Sequence, residues 1–100
     1  MKKLFISQPM RGKSDDEILK EREKAIKKVE EKMGEQVEVI DSFFQDVPAY
    51  AKPLWYLGKS LQLLSTADVA YFTTGWENAR GCKIENLCTI EYGIDAMYEE

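Results

Sequence analysis

Residues 67–85 read A-D-V-A-Y-F-T-T-G-W-E-N-A-R-G-C-K-I-E, and this stretch decides the fold. Residues 67–74 predict a strand whose apolar residues are continuous enough for it to be buried on both faces of a parallel sheet. A polar loop between Gly75 and Gly81 follows, and it leads into a helical segment that runs to Tyr92. A buried strand that passes through a polar loop into a helix is one unit of an alternating α/β domain.

The first half of the chain contains the same alternation. Residues 3–7 are an apolar run that predicts a first strand, and residues 36–42 alternate with β-branched side chains as a second strand. Between them, Ser14 and Glu17 have the spacing of a capping box. The apolar residues that follow at helical spacing predict a long amphipathic helix that ends near Gly34.

The second half supplies another helix and a last strand. A second helix is predicted from Pro53. Its apolar side is formed by Leu54, Leu57, Leu61 and Leu64, and also includes Trp55 or Tyr56. Residues 94–98 alternate as a fourth strand after Gly93, where the third helix stops.

The resulting order, β-α-β-α-β-α-β, predicts the fold class. We expect a single domain over residues 1–100, an α/β three-layer sandwich with a four-stranded parallel sheet in the order 2-1-3-4 and helices on both faces. Ligands in such sheets bind at the carboxyl ends of the strands, beside the point where the strand order reverses. The loops at that point are residues 7–12 and 74–81.

Composition excludes several classes of function. The 100 residues include no histidine, so histidine acid–base catalysis, catalytic triads and most zinc sites are excluded. The net charge is −4, and the basic residues of positions 20–32 alternate with glutamates as on a solvated helix face, which argues against a nucleic-acid polymer as partner. No apolar run approaches the ~20 residues of a membrane span, and the N-terminal run is too short for a signal peptide. We therefore expect a cytoplasmic protein without a membrane partner.

Glu85 is the candidate catalytic residue. The sequence predicts it in the first turn of the third helix, where the helix dipole favours the ionised form and keeps a carboxylate nucleophile competent. The alternative is a surface residue that only complements the dipole. Cys82 precedes it at the helix start, where the thiol pKa is expected to fall, although no histidine base is available to it. Cys82 and Cys88 are six positions apart, and no disulfide is expected between them.

The two loops supply candidate ligand contacts. Trp76 is predicted either to stack on a planar base or to close the edge of the core. Arg11 is predicted either to hold a phosphate or carboxylate or to be solvated. The complete set of candidate substrate-binding residues is Ser7, Gln8, Met10, Arg11, Gly12, Ser60, Gly75, Trp76, Glu77, Asn78, Arg80 and Gly81.

With these residues in place, the chain resembles the nucleoside 2-deoxyribosyltransferase-like superfamily. The similar segments are I-S-Q-P-M-R-G (6–12), A-D-V-A-Y-F (67–72), G-W-E-N-A-R-G-C-K-I-E (75–85) and Y-G-I (92–94), so the resemblance covers nearly the whole chain. It is nearest to a small, largely uncharacterised branch common in phage and mobile-element genomes. The resemblance implies a flavodoxin-like sandwich that forms a homodimer or larger homo-oligomer, with neighbouring subunits completing the site.

The resemblance also implies residue roles. Glu85 corresponds to the nucleophile that attacks the anomeric carbon of the sugar, and Arg11 to an arginine that helps hold a phosphate. Two positions depart from nucleotide-cleaving relatives: Phe5 stands where they carry a tyrosine, and Ser60 where they carry an aspartate that positions the substrate and helps protonate the departing base. Glu77 is the candidate to take over that protonation.

Three functions follow as expectations. The first is cleavage or transfer at the N-glycosidic bond of a nucleoside or nucleoside 5′-monophosphate, through a glycosyl-enzyme intermediate and without a metal or organic cofactor. In it, Trp76 borders the base, the sugar is held by Ser7, Gln8 and Asn78, and a phosphate by Arg11 or Ser60. The second is a non-catalytic nucleotide-binding sensor or accessory domain, favoured by the departures at Phe5 and Ser60. The third is an assembly unit with a vestigial pocket.

Overall fold

The computed structural model describes residues 1–99 and contains the predicted alternation of strands and helices. The elements are β1 (Lys2–Ser7), α1 (Asp15–Met33), β2 (Val37–Val39), α2 (Pro53–Leu64), β3 (Val69–Phe72), α3 (Arg80–Tyr92) and β4 (Asp95–Tyr98), with a short 3-10 helix (Trp76–Asn78) before α3. All strand pairs are parallel, and the sheet has the order β2-β1-β3-β4. The predicted fold class and strand order are confirmed. Among residues 1–99, none of the helices combines the length and apolarity needed to cross a bilayer.

The central strands β1 and β3 end at the same level of the sheet. Their register runs from Leu4 opposite Val69 to Ser7 opposite Phe72, the last residue of each strand. The backbone pairing continues one step further, because the Thr73 N–H donates to the Ser7 carbonyl at 3.0 Å. The carboxyl ends of the two strands therefore meet where the strand order reverses.

The two sides of the sheet bury different residues. On one side, Leu4, Ile6, Val69 and Tyr71 pack together with residues of α1, chiefly Ala25 and Val29. On the other side, Phe5, Ala70 and Phe72 pack with Leu64 of α2 and with half-buried residues that include Cys88 of α3. The sheet is thus the middle of three layers, with α1 on one face and α2 and α3 on the other.

The helix ends follow the sequence signals. The Ser14 hydroxyl accepts from the Glu17 N–H while the Glu17 carboxylate accepts from the Ser14 N–H, so the predicted capping box is formed. Gly34 and Gly93 end α1 and α3 in the left-handed conformation, at φ 69° and 70°. Both positions need positive φ, which costs glycine little and other residues more.

Three elements differ from their predictions. β3 covers only Val69–Phe72 instead of residues 67–74. β2 covers only Val37–Val39 instead of residues 36–42. The backbone pairing ends with Ile40, whose N–H donates to the Leu4 carbonyl, and the Ser42 hydroxyl then accepts from Arg22 of α1. The predicted apolar side of α2 is wrong at its start: Leu54 is 77% exposed, and the helix buries Leu64 at its other end. The first turn of α2 instead belongs to an aromatic group of Phe44, Trp55 and Tyr56.

Candidate functional site

Glu85 lies with its side chain buried against the carboxyl end of β1. It is the sixth residue of α3 and is 7% exposed. The Ser7 hydroxyl, on the last residue of β1, donates to Glu85 Oε1 at 2.6 Å. Residues 78 positions apart in sequence are therefore joined at the switch point of the sheet.

Ser60 also influences this carboxylate. It lies half-buried on α2, and hydrogen bonding with its side chain acts to lower the pKa of Glu85. Among the described residues, no lysine or arginine forms an ion pair with it.

The electrostatic prediction for Glu85 is wrong. Because α3 begins at Arg80, Glu85 falls in the second turn rather than the first, where the helix dipole acts less strongly. Burial raises the pKa of Glu85, while hydrogen bonding with Ser7 and Ser60 acts in the opposite direction without cancelling it. The carboxyl group consequently retains its proton to higher pH than an exposed glutamate.

The prediction of a lowered thiol pKa at Cys82 is also wrong. Burial is the main reason that the Cys82 pKa is raised to about 11, and the neighbouring Glu85 carboxylate adds to the effect. Hydrogen bonding with Ser7 acts to lower the pKa of the thiol but does not cancel the effect of burial. The Cys82 thiol is protonated at neutral pH, which removes it as a nucleophile. Both cysteines are free, as expected.

Gln8 is occupied by hydrogen bonds within the protein. Its Nε2 donates to the Ile18 carbonyl and to Glu21 Oε1, both at 3.3 Å, and its Oε1 accepts from Arg22 Nη1 at 3.1 Å. The side chain is buried, so it fastens the β1–α1 loop to α1 instead of facing a ligand.

Arg22 is the main residue near the site whose role the sequence prediction missed. It is buried, and it donates to Gln8, to the Ser42 hydroxyl at 3.3 Å and to the Ile40 carbonyl at 3.1 Å. Burial lowers the pKa of its guanidinium. The prediction that the basic residues of this helix lie on a solvated face is wrong for Arg22. Helical spacing would have revealed its burial, because residue 22 falls on the apolar stripe of Ile18, Ala25 and Val29.

The β3–α3 loop packs against the core and against the first loop. Trp76 has its ring centroid 5.4 Å from those of Phe72 and Tyr98, so it closes the edge of the core, one of its two predicted roles. Gly75 has φ 88°, and a Cβ there would lie 3.8 Å from Pro9 of the first loop. The two loops therefore adjoin, as the topology predicted.

The predicted residues divide into two sets. Ser7 is hydrogen-bonded to Glu85, and Ser60 and Cys82 lie beside this pair. The remaining loop candidates are half-buried or exposed, namely Met10, Arg11, Gly12, Glu77, Asn78, Arg80 and Gly81. Within residues 1–99, no three Cys, Asp or Glu side chains are arranged to hold a metal ion.

A separate groove lies outside this site. It has a volume of about 250 Å³ and runs along α2, lined by Leu54, Trp55, Gly58, Lys59 and Gln62. It includes none of the predicted site residues.

Comparisons of the chain with family models, with curated proteins and with solved structures gave no match.

Proposed function

We propose that the protein cleaves or transfers the N-glycosidic bond of a nucleoside or nucleoside 5′-monophosphate, with Glu85 as the nucleophile. The observation that carries this proposal is a buried carboxylate at the switch point that accepts the Ser7 hydroxyl at 2.6 Å and has no ion pair with any described residue. Burying a carboxylate without a cation is unfavourable, and such groups concentrate at functional sites. A surface residue that only complements the helix dipole would have no reason to be 7% exposed.

The chemistry proceeds by two displacements. Ionised Glu85 attacks the anomeric carbon, the carbon–nitrogen bond breaks, and its electron pair leaves with the base. Water or a second base then attacks the same carbon, and the carboxylate is released. Two inversions give net retention of configuration. We assign protonation of the departing base to Glu77, an exposed carboxylate on the short helix before α3.

Other residues are assigned to substrate binding. Arg11 is exposed at the end of the first loop and suits a 5′-phosphate. Asn78 is exposed on the loop before α3 and suits sugar hydroxyls. The side chain of Gln8 is engaged by Arg22 and Glu21, so we assign it to holding the loop.

The proposal includes a homodimer or larger homo-oligomer in the cytoplasm. Its support is the exposed apolar surface of α2 and α3, where Leu54, Leu87 and Ile90 are 77%, 55% and 65% exposed. These helices cover the sheet face on which Glu85 lies, so a second copy bound there would lie near the site. The net charge of −4 favours a small ligand over a nucleic-acid polymer.

A binding role without turnover is the second candidate. Phe5 is buried in the core and offers no polar group, and Ser60 cannot donate a proton as an aspartic acid does. A site that holds a nucleotide without a strong acid for the departing base suits a sensor or accessory domain.

A product assay tests the proposal. The protein is incubated with ribo- and deoxyribonucleosides and their 5′-monophosphates, with and without a free second base, and base release or exchange is followed by chromatography. We expect Glu85→Ala to reduce turnover at least about a thousandfold, as removal of a nucleophile does. Glu91→Ala, at an exposed glutamate of the same helix, is the matched control and should retain activity.

Each alternative has its own result in this assay. Equal rates in Glu85→Ala and the parent protein would disprove the catalytic role. No turnover with any substrate, together with a ligand that raises the melting temperature, would favour the binding role.

A further inference from the structure

Ser7 lies beside two other buried side chains, Glu85 and Cys82, at the end of β1. The three are between 1% and 7% exposed, and they come from one strand and one helix. The sequence predicted Ser7 as a sugar contact. Its hydrogen bonds point to a different use.

The single proton of Ser7 is already committed. A serine hydroxyl has one proton to donate and two lone pairs that accept. Ser7 donates to Glu85 Oε1 at 2.6 Å, which lies within the range of a charge-assisted O–H···O⁻ hydrogen bond. Without moving, Ser7 therefore has no donor left for a sugar hydroxyl.

The backbone of Ser7 is fixed as well. It is the last residue of β1, paired opposite Phe72, and its carbonyl accepts from the Thr73 N–H. A hydroxyl on a rigid central strand is a more exact support for a carboxylate than one on a loop.

We propose that Ser7 is a positioning residue: its hydroxyl holds the Glu85 carboxylate in a single orientation at the carboxyl end of β1. The role in turnover rests on the proposed function. The Ser7–Glu85 hydrogen bond and its effect on the ionisation of Glu85 do not depend on the proposed function.

The test compares Ser7→Ala with Ser42→Ala. Ser42 is also a buried serine beyond a strand end and contacts Arg22 and the Ile6 carbonyl, so its loss removes comparable hydrogen bonds away from Glu85. The ionisation of Glu85 is followed by NMR of ¹³C-labelled glutamate carboxyl groups across a pH series. We expect its titration midpoint to move to higher pH in Ser7→Ala and to stay at the parent value in Ser42→Ala.

Kinetics provide the second readout. Since Glu85 attacks in its ionised form, the acidic limb of kcat/KM against pH should move to higher pH in Ser7→Ala. On that limb, kcat/KM should fall about tenfold, the cost of one charge-assisted hydrogen bond. Ser7→Cys replaces the hydroxyl with a weaker donor, so it should shift the midpoint in the same direction by less. It also serves if Ser7→Ala does not fold.

Failure of this proposal can be told apart from failure of the proposed function. An unchanged Glu85 midpoint in both Ser7→Ala and Ser7→Cys would overturn the positioning role, even if the parent protein cleaves nucleosides. A shifted midpoint in a parent protein that cleaves no substrate would support the positioning role and remove the proposed reaction.

Discussion

Two glutamates of this chain show how the environment determines the behaviour of the same side chain. Glu85 is buried, and its pKa is raised even though hydrogen bonding with Ser7 and Ser60 acts to lower it. Glu99 lies at the open edge of the sheet, where the Thr74 hydroxyl donates to it and its pKa is lowered. Where water still reaches the carboxylate, the hydrogen bond determines the direction of the pKa shift. Where water does not reach it, desolvation determines that direction.

The raised pKa of Glu85 makes a prediction about stability. The folded protein holds this proton more tightly than the unfolded chain, where the pKa is near the ordinary 4.5. The free energy of unfolding therefore falls as pH rises from that value through the folded-state pKa, and it stays lower above it. Glutamine cannot ionise, so Glu85→Gln should be more stable than the parent protein at pH ~7, by about 0.5–2 kcal/mol, as is common when a strained functional group is removed.

Urea unfolding near neutral pH, and again below the unfolded-state pKa of Glu85, measures the difference in stability between Glu85→Gln and the parent protein. The advantage of Glu85→Gln should disappear in the acidic series, because the parent carboxyl group is then neutral in both states. Glu91→Gln, at an exposed position of α3, should show no comparable gain. A Glu85→Gln protein that is less stable than its parent at neutral pH would contradict the account of an unfavourably buried carboxylate.

At the scale of elements, α1 is attached to the sheet by a buried arginine as well as by its apolar stripe. Arg22 connects the helix to the β1–α1 loop through Gln8 and to the segment after β2 through Ser42 and Ile40. Three acceptors on two loops are therefore satisfied by one side chain. The arrangement places the loop that carries Arg11 at the carboxyl end of β1.

Replacing Arg22 should consequently destabilise the whole domain. Arg22→Ala leaves the buried oxygens of Gln8 and Ser42 without their donor and opens a space on the apolar stripe. We expect the free energy of unfolding to fall by about 2–4 kcal/mol. Lys27→Ala, at an exposed position on the same helix, should stay within about 0.5 kcal/mol of the parent protein in chemical denaturation. Equal effects at the two positions would contradict a structural role for the Arg22 network.

The same network shows where prediction from sequence ends. Strands, caps and the order of the sheet follow from local patterns, such as the apolar run before Thr73 or the Ser14–Glu17 capping box, because their causes lie within a few residues. The burial of Arg22 and Glu85 depends on Ser42, Ser7 and Ser60, which are 20 to 78 positions away in sequence. Helical position alone predicted a solvated arginine and a dipole-stabilised glutamate, and tertiary burial reversed both.

At the scale of the molecule, the two outer layers have different surfaces. α1 carries alternating glutamates and lysines on its outer face, with Leu19 as an exposed apolar exception. α2 contains only one charged residue, Lys59, and α3 exposes Leu87 and Ile90. Exposed apolar side chains grouped on one layer are typical of a protein–protein interface. The layer with this surface is the one that contains Glu85.

The proposed homo-oligomer can be tested on that layer. Sedimentation equilibrium of the parent protein should give a mass at least twice the 11.5 kDa of the chain. Leu87→Lys and Ile90→Lys introduce charges where apolar groups would be buried between copies, and a loss of about 2 kcal/mol at such a position weakens association about thirtyfold. Leu19→Lys, on the opposite layer, is the matched control and should leave the mass unchanged. A parent protein that stays monomeric at high concentration would rule out the assembly, and Glu85 would then have to act within a single chain.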